Sequence, residues 1–353
     1  LFQAIQIDQV RTSAATRALP GNHRAEAMLS RMSPWVYVLA ASATLLHFLF
    51  NSRYGFFRDE LYYAACGERL AWGYVDHAPL IAVVSHVTRA VLGDSLFALR
   101  FFPALAGAAK VFLGGWIARE IGGGNFAQFL AAVTVLLAPI YLAFDNFLSM
   151  NAFEPVFWMG CVAIVLRILN GGDRRLWLLG GVIAGIGILN KHSMLFFVSG
   201  IVAGLLLSSA RREFLNQWFW WGAGIAMLLV LPNLLWEMNR DWPTMALLRT
   251  VIGTKYYSVG PWDYAWQQSL LTHPFCAPIW LAGLWFFFAD PCGKIYRVLG
   301  WAYLVVLAEM LVLHGKIYYM APAYVMLLAA GCVWIEKQAW LGMRQWCKPA
   351  IVM

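Results

Sequence analysis

A series of apolar runs, each close to the length that crosses a bilayer and parted from the next by a short polar turn, constrains this chain more than any other feature. A spanning helix needs about 17 to 25 mostly apolar residues, and lipid offers its backbone no hydrogen-bond partner, so such runs fold as helices. Runs at 34–50, 96–118, 126–144, 152–169, 176–190, 193–208, 217–235, 271–289, 298–313 and 317–335 predict about ten transmembrane helices. With 61% hydrophobic residues among 353, and 18 Trp, 23 Phe and 14 Tyr, the composition suits an all-α polytopic membrane protein and no soluble fold. The expected division is a basic N-terminal segment 1–33, a transmembrane domain 34–335 and a tail 336–353.

Charge then orients the bundle. The net charge of +8 would suggest nucleic acid in a soluble domain, but here cytoplasmic loops account for it, and no nucleic-acid partner is expected. The N-terminal segment carries Arg11, Arg17, Arg24 and Arg31, and no small-residue cleavage site follows the first apolar run, which reads as an uncleaved span. With that segment inside, Arg174, Arg175, Arg211, Arg212, Lys294, Arg297, Lys337, Arg344 and Lys348 all fall in inner loops or the tail. This is the positive-inside pattern at nearly every turn. The expected location is a multi-pass cell (inner) membrane protein whose polar outer loops face the periplasm or exterior.

The first outer loop is the most polar of these. Arg58, Asp59, Glu60, Glu68, Arg69, Asp76 and His77 crowd into residues 58–77, although charged residues make up only 12% of the chain. Membrane proteins keep charge where it has a use. Residues 58–70 predict a helix with acids in its first turn, Gly73 ends it, and Pro79 starts a second helix to Gly93. The second helix mixes Val83, Val87 and Val91 with Ser85, His86 and Arg89, a pattern suited to a membrane interface. Consecutive residues on a helix point about 100° apart, so Asp59 and Glu60 cannot share one acid/base role.

Other polar groups collect on the same outer side. Asp145 and Asn146 end one span, where Asp145 reads equally as an exposed loop end, and Glu154 beside Pro155 requires a cavity or a partner. Lys191 and His192 interrupt a stretch, 176–208, that is short for two spans and long for one. A cation at a broken helix suits a phosphate, although a snorkelling Lys would look the same. His314, Lys316, Tyr318 and Tyr319 open the last span and again pair a cation with interfacial aromatics. The six cysteines lack metal spacing, and Gly122, Gly123 and Gly124 form a helix-end turn, not a nucleotide loop. Adjacent carboxylates can bind a divalent metal, but spacing alone assembles no full ligand set. No cofactor is otherwise indicated. Outward carboxylates and cations beside lipid suit chemistry on a phosphate-linked lipid.

RDELYY at 58–63, DHAPL at 76–80, FDNFLSMNAFEP at 144–155, LNKHSML at 189–195 and GKIYYMAPAY at 315–324 together resemble bacterial glycosyltransferase family 39. This is the protein O-mannosyltransferase and aminoarabinose transferase (ArnT-like) group. The resemblance covers residues 34–335 and implies the C-type glycosyltransferase (GT-C) fold. It implies a polyprenyl-phosphate sugar donor used outside the membrane, usually with inversion, and a lipid, protein or glycan acceptor. It also implies that Asp59 is the catalytic carboxylate, supported by Glu60. Arg58, Asp76, His77, Asp145, Lys191, His192, Lys316 and Tyr319 are then expected to bind the substrate or its lipid phosphate. Family members generally continue into further helices and often an outer soluble domain, so the tail is expected to be truncated relative to them. The alternative, from another class, is a transporter or flippase for a polyprenyl-phosphate-linked substrate. It calls for polar groups near mid-membrane and for repeated halves, and no repeat is visible in the sequence. A third reading is an inactive fragment.

Overall fold

The computed structural model describes residues 31–254 and 260–341. The expected segment 1–33 up to residue 30, residues 255–259 of the long outer loop, and Arg344, Cys347 and Lys348 of the tail lie outside the described residues. In chain order the helices are α1 (Pro34–Phe50), α2 (Arg58–Glu68), α3 (Leu80–Leu92), α4 (Leu96–Leu99), α5 (Phe101–Glu120), α6 (Asn125–Leu137), α7 (Pro139–Phe144) and α8 (Met150–Leu169). They continue as α9 (Leu176–Asn190), α10 (Met194–Leu206), α11 (Gln217–Met238), α12 (Pro243–Thr254), α13 (Pro261–Thr272), α14 (Ala277–Phe288), α15 (Arg297–Val312) and α16 (Ala321–Leu341). Among the described residues the chain contains helix and turn and no strand.

The span count differs from the ten expected. Five helical stretches are long and apolar enough to cross a membrane: Leu96–Glu120, Met150–Leu169, Gln217–Met238, Pro291–Val312 and Ile317–Gln338. The count rises to seven if each of two bent pairs is one span: Met194–Leu206 with Ser209–Leu215, turning by 108°, and Pro261–Thr272 with Pro274–Phe288, turning by 102°. Pro34–Phe50, Asn125–Leu137 and Leu176–Asn190 are apolar but shorter. Local chemistry accounts for the shortening. The run expected at 126–144 is cut at Ala138 because Pro139 has no N–H to continue the ladder and starts a new helix instead. The run 176–208 is cut at Lys191, whose extended backbone (φ −159°, ψ 129°) closes α9.

The core lies on α16, α8 and α5, with Tyr324, Leu327, Leu328, Trp158 and Ile117 each at most 1% exposed. On α11, by contrast, Trp220, Trp221, Met227 and Leu228 are 59–68% exposed, which marks a lipid-facing edge. Glycine lets this edge helix approach closely: a Cβ at Gly181 of α9 would run into the carbonyl of Gly222 on α11.

Two polar ends result. One gathers the basic turns and is tied by Asn170, whose amide donates to the Glu120 carbonyl (2.7 Å) and whose carbonyl accepts from Tyr296 (2.9 Å). Arg167 to Glu120 (3.0 Å), Arg174 to Glu213 (3.3 Å) and the Gly124 N–H to Glu336 (2.6 Å) close the same end. The other end carries α2, α3 and the turns before α8, α10 and α16. There Tyr63, Ile81, Leu99 and Leu148 form a small apolar cluster of their own.

Candidate active site

The first loop is fastened to the bundle by one buried ion pair. Glu60, fully buried, accepts from Arg100 at both oxygens (Nε and Nη2, each 2.8 Å), from the Leu148 N–H (3.0 Å) and from the Phe57 N–H (2.7 Å). Arg100 spends its remaining donors on the carbonyls of Asn51, Arg53 and Gly55. Every lone pair of the carboxylate is used, as a buried charge requires. Glu60, expected to support Asp59, therefore anchors α2 through this pair. The reason is the Arg100 guanidinium, which arrives from 40 residues away.

Asp59, one residue earlier, points elsewhere. Its side chain is 38% exposed and bonds only the Nε of Arg58 (3.2 Å), itself 89% exposed. The expected divergence of the two acids is thus present, one anchored inward and the other at the surface of a crevice. Along the same wall Asp76, also exposed, accepts a 2.6 Å hydrogen bond from Tyr62. His77 is buried in an aromatic box, stacked on Tyr74 at 4.5 Å and edge-on to Tyr62 and Tyr63. Its Nδ1 meets the Ala78 carbonyl at 2.8 Å, and its Nε2 has no hydrogen-bond partner. Burial holds the imidazole below its ordinary titration range.

Across the crevice, the break between α9 and α10 presents Lys191. Its ammonium contacts Glu154 (2.6 Å) and Asn151 (2.9 Å) and lies over the Tyr319 ring at 4.4 Å. Glu154 also accepts from Ser193, so the carboxylate beside Pro155 has the partners that the sequence required. His192 contacts the Asn233 carbonyl oxygen (3.2 Å), and the Asn233 amide donates to the Trp72 carbonyl (2.7 Å). Tyr318 lies within electrostatic reach of Asp59, Tyr63 and Glu154. Lys316 is exposed on the rim beside the Tyr318 ring, with no carboxylate within ion-pair distance among the described residues.

Asp145 does not join this crevice. It is 3% exposed and ion-paired to Lys110, which is fully buried in α5 and also donates to the Ala152 carbonyl (3.1 Å). The small cavity beside the pair has room of about 10 Å³, on the order of one water and too little for a sugar. Asp145, expected to bind substrate, is thus placed against Lys110 inside the bundle. Residue 145 stays inside because α7 is short and ends before the chain reaches the surface.

Arg100, Lys110 and the tyrosine box were not anticipated. A lone Lys inside the apolar run 96–118 was itself a signal, since an intramembrane cation demands a counter-charge. Among the described residues no group of three or more His, Cys, Asp or Glu side chains is arranged to hold a metal ion.

Comparison with solved structures defines the class. ArnT from Cupriavidus metallidurans, solved bound to undecaprenyl phosphate and in the apo state, superposes with TM-scores of 0.72 and 0.71 at 17% identity. Each alignment covers 90% of this chain and 62% of ArnT. An Archaeoglobus fulgidus oligosaccharyltransferase follows at TM-score 0.59 and 12% identity, covering 90% of this chain and 53% of that one. The chain is an all-α polytopic membrane protein with the GT-C fold.

Sequence comparison narrows the class. The model of the dolichyl-phosphate-mannose-protein mannosyltransferase family matches residues 76–236. The lipid A galacturonosyltransferase RgtD of Rhizobium johnstonii is 27% identical over 196 residues, covering 53% of this chain and 39% of RgtD. The expected resemblance to the family 39, ArnT-like membrane glycosyltransferases therefore holds. The chain spans less than two thirds of the length of these relatives.

Proposed function

We propose that the crevice transfers a sugar from a polyprenyl-phosphate donor to an acceptor, with Asp59 as general base. One observation carries this reading. Of the carboxylates at this end, Glu60 is held by Arg100, Asp145 by Lys110 and Glu154 by Lys191, whereas Asp59 has only the solvent-exposed Arg58. Asp59 thus combines a half-exposed position with a partner that a substrate can displace, whereas Asp76, the other exposed acid there, is engaged by the Tyr62 hydroxyl (2.6 Å). In the reaction the acceptor O–H attacks the anomeric carbon, its proton passes to Asp59, and the bond from that carbon to the phosphate oxygen breaks. The electron pair leaves with the polyprenyl phosphate. Attack opposite the leaving group inverts the anomeric centre. Lys316 and Arg58 supply the exposed positive charge that meets the leaving phosphate, and Lys191, held over Tyr319, supports them.

ArnT bound to undecaprenyl phosphate and the sugar-transferring relatives support the donor class. The positive-inside rule supports a crevice on the periplasmic side, opposite the basic turns. A lipid is the acceptor we favour, because the sequence-matched RgtD acts on lipid A. The transporter alternative calls for polar groups near mid-span, whereas Asp59, Asp76, Lys191 and Lys316 sit at helix ends or in turns.

The test is release of polyprenyl phosphate from a panel of polyprenyl-phosphate sugars in detergent, comparing the protein with Asp59→Asn. Loss of a general base lowers turnover by about 10²–10⁴-fold. A folded Asp59→Asn variant with full release would remove Asp59 from the role.

A further inference from the structure

The basic end holds a second polar concavity that sugar transfer does not use. Between the C-terminus of α10, the sharp turn at 207–209 and the start of α15 lies a cleft of about 370 Å³. Lys294, Arg297 and Ser209 form its polar side, and Leu207, Phe288 and Trp301 its apolar side. No carboxylate lines it. The nearby acids are engaged elsewhere: Asp290 accepts from the Cys292 N–H (2.8 Å), and Glu213 pairs with Arg174 (3.3 Å). Neither Lys294 nor Arg297 has a carboxylate within ion-pair distance among the described residues.

The fold ties one end of the Arg297 side chain. Its Nη2 donates to the Phe288 carbonyl (2.8 Å), which fixes the guanidinium plane, while its Nε is buried without a hydrogen-bond partner. A buried N–H without an acceptor is costly to leave unmade. The groups lining the cleft suit phosphate oxygens: the Arg297 guanidinium, the point-charge ammonium of Lys294 and the Ser209 hydroxyl. Arg211 and Arg212, both exposed on the next turn, extend the positive field. The apolar wall specifies more than an anion. Leu206 and Leu207 are 56% and 58% exposed at the end of a span, where acyl chains lie. Trp301 packs edge-on to Phe288 at 5.1 Å and supplies a flat surface at headgroup level.

We propose that this cleft binds the headgroup of an anionic phospholipid, its phosphate on Lys294 and Arg297 and its acyl chains along Leu207, Phe288 and Trp301. Basic pockets between helices at the cytoplasmic side of membrane proteins suit such headgroups. The site lies at the opposite end of the bundle from Asp59, so its occupancy is separable from the transfer chemistry.

The purified full chain, stripped of lipid in neutral detergent, would be titrated with phosphatidylglycerol, with phosphatidylcholine and with inorganic phosphate. Thermal unfolding and native mass spectrometry would report binding. Phosphatidylglycerol is expected to raise the unfolding midpoint and to remain bound, while the other two do neither. Lys294→Gln/Arg297→Gln should weaken the half-saturating concentration by about 30-fold, and Arg211→Gln/Arg212→Gln much less. Should the first double variant fold poorly, Ser209→Asp, which sets a negative charge in the cleft, is expected to weaken binding as strongly. An equal response to phosphatidylcholine, an equal response of the cleft variants, or binding of inorganic phosphate as tight as that of the lipid would overturn the proposal.

Discussion

Glu60 and Arg100 offer the sharpest test of how the first loop is held. In Glu60→Gln one end of the amide keeps an oxygen for two donors, but the other becomes an NH₂ facing two donors. If the oxygen replaces Oε1, the Arg100 Nε and Leu148 N–H are kept, and the Arg100 Nη2 and Phe57 N–H are lost. The opposite amide rotamer reverses the loss without reducing it. Two hydrogen bonds to a charged acceptor are worth about 1.5–3 kcal/mol each. The 4% exposed guanidinium of Arg100 is also left without its counter-charge. Breaking one side of a buried pair in this way costs about 3–5 kcal/mol, whereas replacing both members with apolar residues of similar volume costs far less. The assay is a double-mutant cycle, Glu60→Leu, Arg100→Met and Glu60→Leu/Arg100→Met, with Glu60→Gln measured beside it, followed by tryptophan fluorescence during unfolding in mixed micelles. The expectation is two strongly destabilised single variants and a double variant more stable than either. Single variants within about 1 kcal/mol of the parent, or costs that simply add, would refute the account of Glu60 as a charge-held anchor.

Three further outcomes follow from the geometry. Lys191→Ala removes the ammonium from Glu154, Asn151 and Tyr319, and is expected to lower phosphate release by about 10²-fold, with Lys191→Arg retaining more; an unchanged rate would leave Lys191 a structural role only. His77, held by burial below its ordinary 6.5, is neutral in the fold and takes up a proton more readily when unfolded, so its contribution is present above pH 6.5 and lost as pH falls through its depressed value. Thermal midpoints between pH 5 and 8 should therefore fall toward acid in the parent and less steeply in His77→Gln; equal slopes would count against this. Gly181→Ala drives a methyl into the Gly222 carbonyl and should destabilise the α9–α11 contact by about 1–3 kcal/mol or more, whereas Gly224→Ala, with nothing within 4 Å of its new Cβ, should be nearly silent in the same unfolding measurement.

What the sequence disclosed and what it withheld divide along one physical line. Features set by the composition of a continuous stretch were legible: helices from apolar runs, the break at Lys191, the interfacial pair α2 and α3, and the clustering of polar groups at one end. The split between Asp59 and Glu60 was legible too, because about 100° per residue is a property of any helix. The environment of each acid was not, because it depends on which cation arrives from a distant segment. Arg100 reaches Glu60 across 40 residues, Lys110 reaches Asp145 across 35, and Lys191 reaches Glu154 across 37. Asp145 shows the difference: it stands at a loop end in sequence, yet after the short α7 it lies buried against a lysine hidden in an apolar run.

The same line bears on where chemistry can occur. Glu60, Asp145 and Glu154 are each buried against a cation, and a carboxylate whose lone pairs are engaged in this way is a poor base and a good anchor. An acid that must accept a proton from an incoming hydroxyl has to keep a lone pair within reach of substrate. On the proposed reading Asp59 meets that condition, because its neighbour Glu60 holds the Arg100 guanidinium. The adjacent acids thus depend on each other: Glu60 fixes α2 to Arg100, and Asp59, about 100° around the helix, is left half-exposed beside Arg58. Exchanging the two functions by sequence alone, as in Asp59→Glu/Glu60→Asp, should therefore fail twice. The shorter acid no longer spans from α2 to both Arg100 and the Leu148 N–H, and the longer one displaces the reacting oxygen by about one methylene, about 1.5 Å. A double exchange that kept both folding and lipid-phosphate release would show that position on the helix, and not the length of each acid, decides the roles.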